Sequence, residues 1–463
     1  MKLKQKISLI SFFIVFLANA TACADNDKTR QAAIVSPPTA VKAAGQATDP
    51  IAAEDVQRFG TALEIIKRYY VEEVPNQKLF DNALRGLLSG LDPHSSYLDE
   101  TELKDLKDAT SGQFSGLGVE VTPDGGYLKV ITPIDDSPAQ KAGMKAGEYI
   151  IKINDELVKD MTLGEAIKKM RGPRGSSVNL TIVRSDSPQP LKLKITREMI
   201  KLESVKGKML DPGYAYVRIS NFQEDTAMGL EKTIAKLKQP AGSTLKGLVL
   251  DLRNNPGGLL EPAVQVADDF LSPQLASNDD VIVSAKGRYP GADFKIKAKP
   301  DNLVPNIPMV VLINQGSASG AEIVAGALQD YKRAVLVGTQ SFGKGSVQTV
   351  IPLDDKSAIK LTTALYYTPS GRSIQASGIQ PDVVVEDMQI PTKKGQPSDE
   401  RILVKEADLR GHLANGNKQA AVINAAALAE VAPAEKELAS EDYQLFVALN
   451  VLKGLVAVQP SKK

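Results

Sequence analysis

Apolar residues follow three successive patterns along most of the chain. From Ile51 to Leu103 they recur every three or four positions, which predicts a small helical segment. From Gly112 to Glu198 short stretches of alternating polarity predominate, which predicts a β-rich block with one helix at Leu163 to Met170. From Met199 to Glu386 strands and helices alternate, which predicts an α/β layered core with a largely parallel sheet.

The core pattern is regular enough to place individual elements. Its predicted strands are Tyr214–Ile219, Gly247–Leu252, Met309–Ile313 and Ala334–Gly338, and its predicted helices are Thr226–Leu237, Leu259–Phe270 and Ala321–Gln329. In open α/β sheets, ligands bind at the carboxyl ends of the strands. Three polar turns follow such ends, and chemistry is therefore expected in Asn254–Gly258, Ser317–Gly320 and Phe342–Gly345.

The last predicted helix runs from Tyr443 to Val456, after a chain that is polar from Pro391 to about Lys418. Its broad apolar stripe consists of Leu445, Phe446, Leu449 and Leu452. Such a stripe packs either on its own domain or on another subunit. We favour self-association, and therefore expect a homo-oligomer.

Composition excludes several classes of function. With 56 Lys and Arg against 55 Asp and Glu, the net charge provides no attraction to nucleic acid or to an anionic membrane. One cysteine, Cys23, and two histidines, His94 and His412, are too few soft ligands for a zinc or copper site. We expect no metal, no cofactor and no nucleic-acid partner. The 463 residues suffice for several domains with cores of their own.

The amino terminus has the three-part plan of a secretory signal peptide over residues 1–24: lysines, an apolar run from Ile7 to Leu17, then small residues. That run is too short for the roughly 20 residues that span a bilayer as a helix. Export to a bacterial periplasm is expected. Ala20–Cys23 resembles a lipoprotein processing site, so the chain is either tethered to the membrane through a lipidated Cys23 or freed by ordinary cleavage. Residues 25–50 are predicted to be a flexible leader.

Ser319 has two interpretations. With Glu322 three positions later at the start of a predicted helix, it satisfies the capping-box pattern, which is worth about 1 kcal/mol of helix stability. A helix amino terminus also favours developing negative charge, as the oxyanion of acyl transfer requires. Taken alone, the pattern favours the cap over the nucleophile.

A nucleophilic serine needs a base, and histidine is barely available. His94 is expected to have a surface or turn-capping role, and His412 lies beyond the core. Lys344, between two glycines, is the remaining candidate, because burial would lower its pKa towards neutrality; a solvated loop lysine is the alternative. The neutral amide of Gln348 could orient the Lys344 amine if the two side chains were close. They would be neighbours on a helical turn but about 13 Å apart on a straight strand, so we predict a turn between them.

The β-rich block resembles a PDZ domain over residues 113–198. The resemblance is carried by Phe114–Val119, Ser137–Ala139, Ala142–Gly143, Gly147–Asn154 and Arg171–Pro173. In such domains, backbone N–H groups of a glycine-containing loop bind a peptide's free carboxylate, and the peptide adds a strand to the sheet edge. The resemblance implies a carboxylate loop of Gly116, Leu117 and Gly118. It implies a side-chain pocket of Leu117, Val119, Ile167 and Met170, although each of these four also suits an ordinary core position.

Two segments of the core, Gly316–Glu322 and Phe342–Gln348, resemble the catalytic motifs of C-terminal processing (tail-specific) peptidases. The resemblance implies that Ser319 is the nucleophile, that Lys344, 25 positions later, is the base, and that Gln348 orients the amine. The segment Asp251–Gly258 resembles the family's glycine turn. It implies that an N–H of Gly257 or Gly258 joins that of Gly320 in the oxyanion hole, although Gly320 stands where alanine is common.

This resemblance covers roughly residues 55 to 390. It implies a crotonase-like layered αβ peptidase core with an inserted PDZ domain and helical N- and C-terminal segments. The predicted divisions after the leader are a helical segment (51–112), the PDZ domain (113–198), the peptidase core (199–388), and a polar linker with C-terminal helices (389–463). The implied activity is that of a serine endopeptidase cleaving exported proteins that are held by their C-terminal tails, with an adaptor protein as a further partner.

Three other interpretations fit less well. Gly338, Gly343 and Lys344 fit the spacing of a phosphate-binding loop, but the match fails at Gly345, where a Ser or Thr hydroxyl should hold magnesium. The segment Ser357–Lys360 matches the Ser-x-x-Lys of penicillin-recognising enzymes, but it lies in a strand-like run with no helix start. The third is a PDZ scaffold that binds protein tails without cutting them, and the complete set of catalytic residues argues against it.

Overall fold

The computed structural model describes residues 50–134, 136–184, 187–238, 245–271, 279–289, 291–299, 303–305, 307–388 and 438–458. The predicted signal peptide, Cys23, the leader up to residue 49, the polar linker and His412 lie outside the described residues. Among the helices described, none combines the length and the apolar character that crossing a bilayer requires. Within the same ranges, no group of three or more His, Cys, Asp or Glu side chains could hold a metal ion.

The amino-terminal segment is helical, as predicted. It consists of α1 (Ala53–Tyr69), α2 (Asn76–Ser89), β1 (Ser96–Leu98) and α3 (Glu100–Ser111). A capping box starts α3, because the Asp99 carboxylate accepts the N–H of Glu102 while the Glu102 carboxylate accepts that of Asp99. Arg85 of α2 forms ion pairs with both carboxylates, so α2 is fixed to the start of α3.

The β-rich block is a small domain with its own core. Its elements are β2 (Gln113–Gly116), β3 (Val119–Asp124), β4 (Tyr127–Pro133), α4 (Pro138–Lys141), β5 (Tyr149–Ile153), β6 (Glu156–Leu157), α5 (Leu163–Met170), β7 (Ser177–Arg184), β8 (Ser187–Thr196) and β9 (Glu198–Lys201). The helix that the sequence predicted at 163–170 is confirmed to the residue. The strand order is β3-β4-β5-β7-β8, with β6 on β5, which leaves β3 at an edge of the sheet. Strands β2 and β9 pair with each other outside this sheet and form the ribbon that joins the domain to the rest.

The remaining elements form the layered core. They are β10 (Val205–Asp211), β11 (Tyr214–Ile219), α6 (Thr226–Lys238), β12 (Gly247–Asp251), α7 (Leu260–Asp268), β13 (Val281–Gly287), β14 (Phe294–Lys297), β15 (Met309–Ile313), α8 (Gly320–Asp330), β16 (Val335–Gly338), β17 (Ser346–Pro352), β18 (Ala358–Tyr367), β19 (Val383–Val384) and α9 (Tyr443–Ala457). One sheet has the order β10-β11-β12-β15-β16-β19, and all its pairs are parallel except β10–β11. The predicted α/β core with a largely parallel sheet is confirmed. Strands β12 and β15 are buried at every position, which explains their continuous apolar sequences.

A second, antiparallel sheet was not predicted. Its order is β1-β18-β13-β14, and β17 also pairs with β18. Helices α6, α7 and α8 contribute, with residues of both sheets, to one continuous apolar core. The strand-like run predicted from Ile359 to Tyr367 is confirmed as part of β18 (Ala358–Tyr367), so no helix supports a Ser-x-x-Lys arrangement at Ser357.

The helical turn predicted between Lys344 and Gln348 is wrong. Strand β17 begins at Ser346, and hydrogen bonding to β18 keeps this stretch extended. A register shift between Val347 and Gln348 marks a bulge, which redirects the side chains that follow it.

The apolar stripe of α9 lies against the chain's own parallel sheet instead of remaining available to another subunit. Leu445, Leu449 and Leu452 are buried, whereas Phe446 is only half-buried. Leu445 and Leu452 pack with Val249, Val310, Leu312 and Val337 of the sheet face opposite α6 to α8. The interpretation of this stripe as a self-association surface is therefore wrong, and a homo-oligomer remains a prediction without that support.

Candidate active site

Ser319 lies on a sharp turn between β15 and α8. Its backbone has φ 53° and ψ −112°, a conformation that costs a residue with a side chain about 1–3 kcal/mol. The glycine turn after β12 packs against it, because a Cβ at Gly257 would lie 2.7 Å from the Ser319 Cβ. Two of the three turns in which the sequence predicted chemistry are therefore in contact.

The Glu322 carboxylate connects this turn to the lysine loop. It is fully buried, and its Oε2 accepts the N–H of Ser319 and the N–H of Lys344, each at 2.8 Å. Its Oε1 accepts the Gly343 N–H at 2.6 Å and the Ser341 hydroxyl at 2.5 Å. One side chain thus fixes the backbone of the candidate nucleophile relative to that of the candidate base. The sequence pattern placed Glu322 only in a capping box; a carboxylate among the buried apolar residues of this helix was the signal for more.

Lys344 is half-buried and lines a cavity together with Ser319. Burial lowers the pKa of its amine below the ordinary lysine value, the positive charge of Lys360 lowers it further, and Glu322 opposes both effects. This is the direction that a lysine acting as a base near neutral pH requires. Lys360 was not among the predicted site residues, since its position near Lys344 depends on the unpredicted second sheet.

Gln348 lines the same cavity from strand β17. Its Nε2 donates to the Ser346 hydroxyl at 2.8 Å and makes a longer contact of 3.5 Å with the Thr362 hydroxyl on β18. The amide is therefore held by two hydroxyl groups of the antiparallel sheet.

The glycine turn provides backbone donors next to Ser319. The Gly257 N–H is already used, because it donates to the Asn255 side chain at 2.8 Å. Within the described residues, the N–H groups of Gly258 and Gly320 have no hydrogen-bond acceptor. Gly258 also lines the cavity. Of the two alternatives for the turn's donor, Gly258 is the one whose N–H remains available.

The cavity has a volume of about 900 Å³, at the upper end of the roughly 300–1,000 Å³ of ligand sites. Its walls include Leu103 and Leu106 of α3, Leu259 and Leu260 beside the glycine turn, and Phe294 of β14. Among the described residues, no hydrogen bond joins the Ser319 hydroxyl to the Lys344 amine. Catalytic hydrogen bonds of this kind often form only when substrate is bound.

The predicted peptide-tail residues lie in the small domain and do not line this cavity. Leu117 and Met170 are buried in that domain's core, whereas Val119 and Ile167 are half-buried beside it. Val119 begins the edge strand β3, where a peptide strand could add. The loop of Gly116, Leu117 and Gly118 leads directly into that strand.

His94 lies closer to the site than expected from the sequence. Its backbone N–H donates to the Asp92 carboxylate, so Asp92 caps this turn, and the histidine itself is half-buried. Burial lowers the pKa of its imidazole, and the charges of Lys344 and Lys360 lower it further against the opposing effect of Asp92. The amino-terminal segment therefore brings a titratable group within electrostatic range of Lys344.

Comparison with known families gives three matches along the chain. Residues 213–385 match Peptidase family S41, residues 130–184 match a PDZ domain, and residues 15–102 match the activating protease CtpB N-terminal domain. Together with the site, they define a serine-type endopeptidase that carries a PDZ domain.

Two relatives similar in sequence agree with this class. A carboxy-terminal-processing protease of Bartonella bacilliformis is 45% identical over 402 residues, which are 87% of this chain and 89% of the relative. The carboxy-terminal processing protease CtpB of Bacillus subtilis is 35% identical over 359 residues, 76% of this chain and 72% of the relative. A solved photosystem II D1 C-terminal processing protease is 30% identical, with 70% of this chain and 86% of that chain covered and a TM-score of 0.42. The chain belongs to peptidase family S41, the family of carboxy-terminal processing proteases.

Proposed function

We propose that the protein is a serine endopeptidase that cleaves exported proteins, recognises their C-terminal tails through the PDZ domain, and uses Ser319, Lys344 and Gln348 for catalysis. The observation that carries the proposal is that Ser319 and Lys344 line one cavity while a single buried carboxylate, Glu322, holds the N–H groups of both residues. An arrangement of this kind fits a nucleophile and its base better than it fits a helix cap alone.

In the proposed reaction, the Ser319 Oγ attacks the scissile carbonyl carbon and its proton passes to the neutral Lys344 amine. A C–O bond forms, and the carbonyl electron pair moves to the oxygen, where the N–H groups of Gly258 and Gly320 stabilise the charge. The C–N bond then breaks as the Lys344 ammonium gives its proton to the leaving amine. Water, deprotonated by Lys344, then attacks the acyl carbon, and the C–O bond to Ser319 breaks as the Lys344 ammonium returns the proton to Oγ. Gln348 orients the amine throughout.

The pKa of Lys344 supports its role as a base. Burial is the largest cause of the lowered pKa, and the nearby Lys360 charge acts in the same direction. A larger fraction of the amine is therefore neutral at a given pH than for an exposed lysine. We expect kcat/KM to rise with pH through the lowered pKa of Lys344 and to level off above it.

Tail recognition is proposed from the edge strand β3 and the glycine loop before it. Backbone groups at a free sheet edge can pair with an extended peptide, and loop N–H groups can hold its terminal carboxylate. Export to a periplasm and a lipid anchor at Cys23 stay predictions, since the amino-terminal residues that would determine them lie outside the described ranges. An adaptor protein also stays a prediction.

The test is to incubate the purified protein with an unstructured exported polypeptide and to weigh the fragments by mass spectrometry. We expect fragments with the unaltered protein and none with Ser319→Ala or Lys344→Ala, while circular dichroism confirms that both variants stay folded. A PDZ scaffold without activity would leave the polypeptide intact in every sample. Near-normal turnover by folded Lys344→Ala would remove the lysine base from the mechanism.

A further inference from the structure

Thr362 of β18 lies between β17, the strand that carries Gln348, and the amino-terminal segment. On one side it is the register partner of Gln348 on β17. On the other side its backbone N–H donates to the Ser95 hydroxyl at 3.1 Å, in the loop that leads into β1. Strand β1 itself pairs with β18, with Ser96 opposite Lys360. The loop before β1 is therefore held directly against the strand that supports Gln348.

Asp92 organises that loop. Its Oδ1 accepts the N–H of His94 at 2.8 Å, the N–H of Ser95 at 2.9 Å and the Thr362 hydroxyl at 3.2 Å, and its Oδ2 accepts the Ser95 hydroxyl at 2.6 Å. Burial alone would raise the pKa of Asp92, but these hydrogen bonds outweigh burial and hold the pKa below its ordinary value. Asp92 is consequently a carboxylate at neutral pH, and a carboxylate can only accept hydrogen bonds.

The charge of Asp92 determines which group donates in the contact between Thr362 and Gln348. The Thr362 hydroxyl has one proton, and it donates that proton to Asp92, so only its lone pairs are available to Gln348. Gln348 must then present its Nε2 and not its Oε1 to Thr362, as the 3.5 Å contact has it. The 2.8 Å bond from the same Nε2 to the Ser346 hydroxyl has the same polarity. The Oε1 of Gln348 is left as the acceptor of the amide, and no hydrogen bond within the described residues uses it.

The orientation of this amide matters to a neutral lysine. A neutral amine has two N–H groups and one lone pair, and as a base it needs the lone pair directed at the serine hydroxyl. An amide oxygen accepts one N–H and leaves the lone pair free. An amide turned by 180° would instead donate its NH₂ group to the lone pair and withdraw the base.

We propose that Asp92 and Thr362 are positioning residues, which act through Gln348 by turning its amide oxygen towards the Lys344 amine. The inference rests on the proposed function, because it requires Lys344 to be the base. The amino-terminal segment then belongs to the catalytic apparatus through a chain of hydrogen bonds from Asp92 to Thr362 to Gln348.

The first test compares Thr362→Val, which replaces the hydroxyl by a methyl group, with Thr362→Ser, which keeps the hydroxyl. We expect kcat of Thr362→Val to fall roughly 10-fold with KM within about twofold, and kcat of Thr362→Ser to stay within about threefold of the unaltered protein. Equal kcat values for the two variants, or a normal kcat for Thr362→Val, would overturn the proposal.

The pH profile separates positioning from simple loosening, and Thr362→Val changes no charge beside Lys344, Lys360 or His94. An amide oxygen stabilises the ammonium and an amide NH₂ group stabilises the neutral amine, so a turned Gln348 moves the midpoint of the kcat/KM profile to lower pH. Loosened packing would admit water and move that midpoint to higher pH. An unchanged or higher midpoint would contradict the inference.

Asp92→Ala, which removes the acceptor of the Thr362 hydroxyl, provides a second variant in case Thr362→Val does not fold. We expect it to lower kcat as Thr362→Val does, and the double variant to be no more than about twofold worse than the poorer single variant. Multiplied effects would mean that the two residues act independently, which would refute the chain. Ser319→Ala and Lys344→Ala in the same assay separate the two ideas: activity in either variant refutes the proposed function, whereas their inactivity beside a fully active Thr362→Val refutes only the positioning role.

Discussion

Three residues of the site adopt a backbone conformation or a degree of burial that ordinarily costs folding free energy. Ser319 has a positive φ, the Lys344 amine is half-buried, and the Glu322 carboxylate is fully buried. The buried carboxylate accepts four hydrogen bonds, which offset its loss of water. Strain and burial of this kind cluster where chemistry needs a residue held in one position. The costs of Ser319 and Lys344 should be measurable without any substrate.

For Ser319, the expected result is that Ser319→Gly is more stable than Ser319→Ala by about 1 kcal/mol. Glycine adopts φ 53° and ψ −112° without the steric cost that a Cβ imposes, and this gain exceeds its larger entropy in the unfolded chain. Urea unfolding of both variants at one pH measures the difference. Equal stability would mean that the turn relaxes around alanine and that the serine is not strained.

For Lys344, the expected result is that Lys344→Met unfolds at higher urea than the unaltered protein near neutral pH. The pKa of Lys344 is lowered by burial first and by Lys360 second, so the folded chain carries a penalty when the amine is protonated. Between the lowered pKa and the unfolded value of about 10.4, the unfolded chain binds more protons, so the stability of the unaltered protein rises with pH. The advantage of methionine should therefore shrink between pH 7 and pH 9.5. A constant advantage would show that the amine is not perturbed by folding.

The residues of the site could be predicted from the sequence only where a short segment contains the whole signal. Ser319 and Lys344 lie in glycine-rich turns after buried strands, and the structure places both on one cavity. Lys360 and Thr362 could not be predicted, because their place beside the site depends on the register between β17 and β18. Register is set by pairing over distance and leaves no local pattern.

Helix α9 is an element whose role the sequence left open and whose packing ties it to the glycine turn. Arg253 of that turn binds Asp442, the residue that caps α9, at 2.7 Å, and also binds the fully buried Asp251 at 2.8 Å. The same guanidinium contacts Gln444 at 3.1 Å. Arg253 is two residues before Asn255, whose side chain fixes Gly257. The docking of α9 therefore supports the turn that is proposed to hold the oxyanion.

Asp442→Asn tests this support. Asparagine caps a helix as well as aspartate does, so the substitution removes the charge opposite Arg253 and retains the cap. We expect a loss of about 2 kcal/mol of unfolding free energy, because a largely buried guanidinium loses one of its partners. The matched control is Lys453→Met on the same helix, which breaks the more exposed pair with Asp211 and should cost about 1 kcal/mol or less. Equal losses in the two variants would contradict a special role for the Arg253 pair.

At the level of elements, the parallel sheet could be predicted and the antiparallel one could not. Buried strands such as β12 and β15 are continuous apolar runs, and they alternate with amphipathic helices. Strands β13, β14 and β17 are mixed in polarity, and β1 comes from a distant part of the chain. The bulge at Gln348 likewise arises from pairing with β18, so no local pattern could have predicted it in place of a turn.

In the molecule as a whole, the amino-terminal segment and the core line the cavity, and the PDZ domain contacts the amino-terminal segment. Helix α3 of the amino-terminal segment supplies part of its wall through Leu103 and Leu106. The same helix contacts the PDZ domain, because Asp105 binds Arg171 at the end of α5 at 3.0 Å. The PDZ domain is further joined to the core through the ribbon of β2 and β9. A polypeptide held at the β3 edge would therefore be bound to a domain that contacts α3, a wall of the candidate active site.

Tail recognition predicts a dependence on the substrate's last group. One unstructured polypeptide prepared with a free C-terminal carboxylate and with a C-terminal amide should show a KM roughly 10-fold higher for the amide, with kcat little changed. Ile167→Glu, which places a charge in the pocket proposed for the terminal side chain, should abolish this difference. Identical KM values for the two substrates with the unaltered protein would mean that the free tail is not read.

The central claim, that Lys344 activates Ser319, can be tested without knowing the substrate. A fluorophosphonate probe reacts with an activated serine: the oxygen bonds to phosphorus, fluoride leaves, and the base takes the proton. We predict that intact-mass measurement finds one probe per chain, mapped to Ser319, and that Lys344→Met reacts about 100-fold more slowly. Labelling of Lys344→Met at the rate of the unaltered protein, or labelling at another residue, would contradict the account.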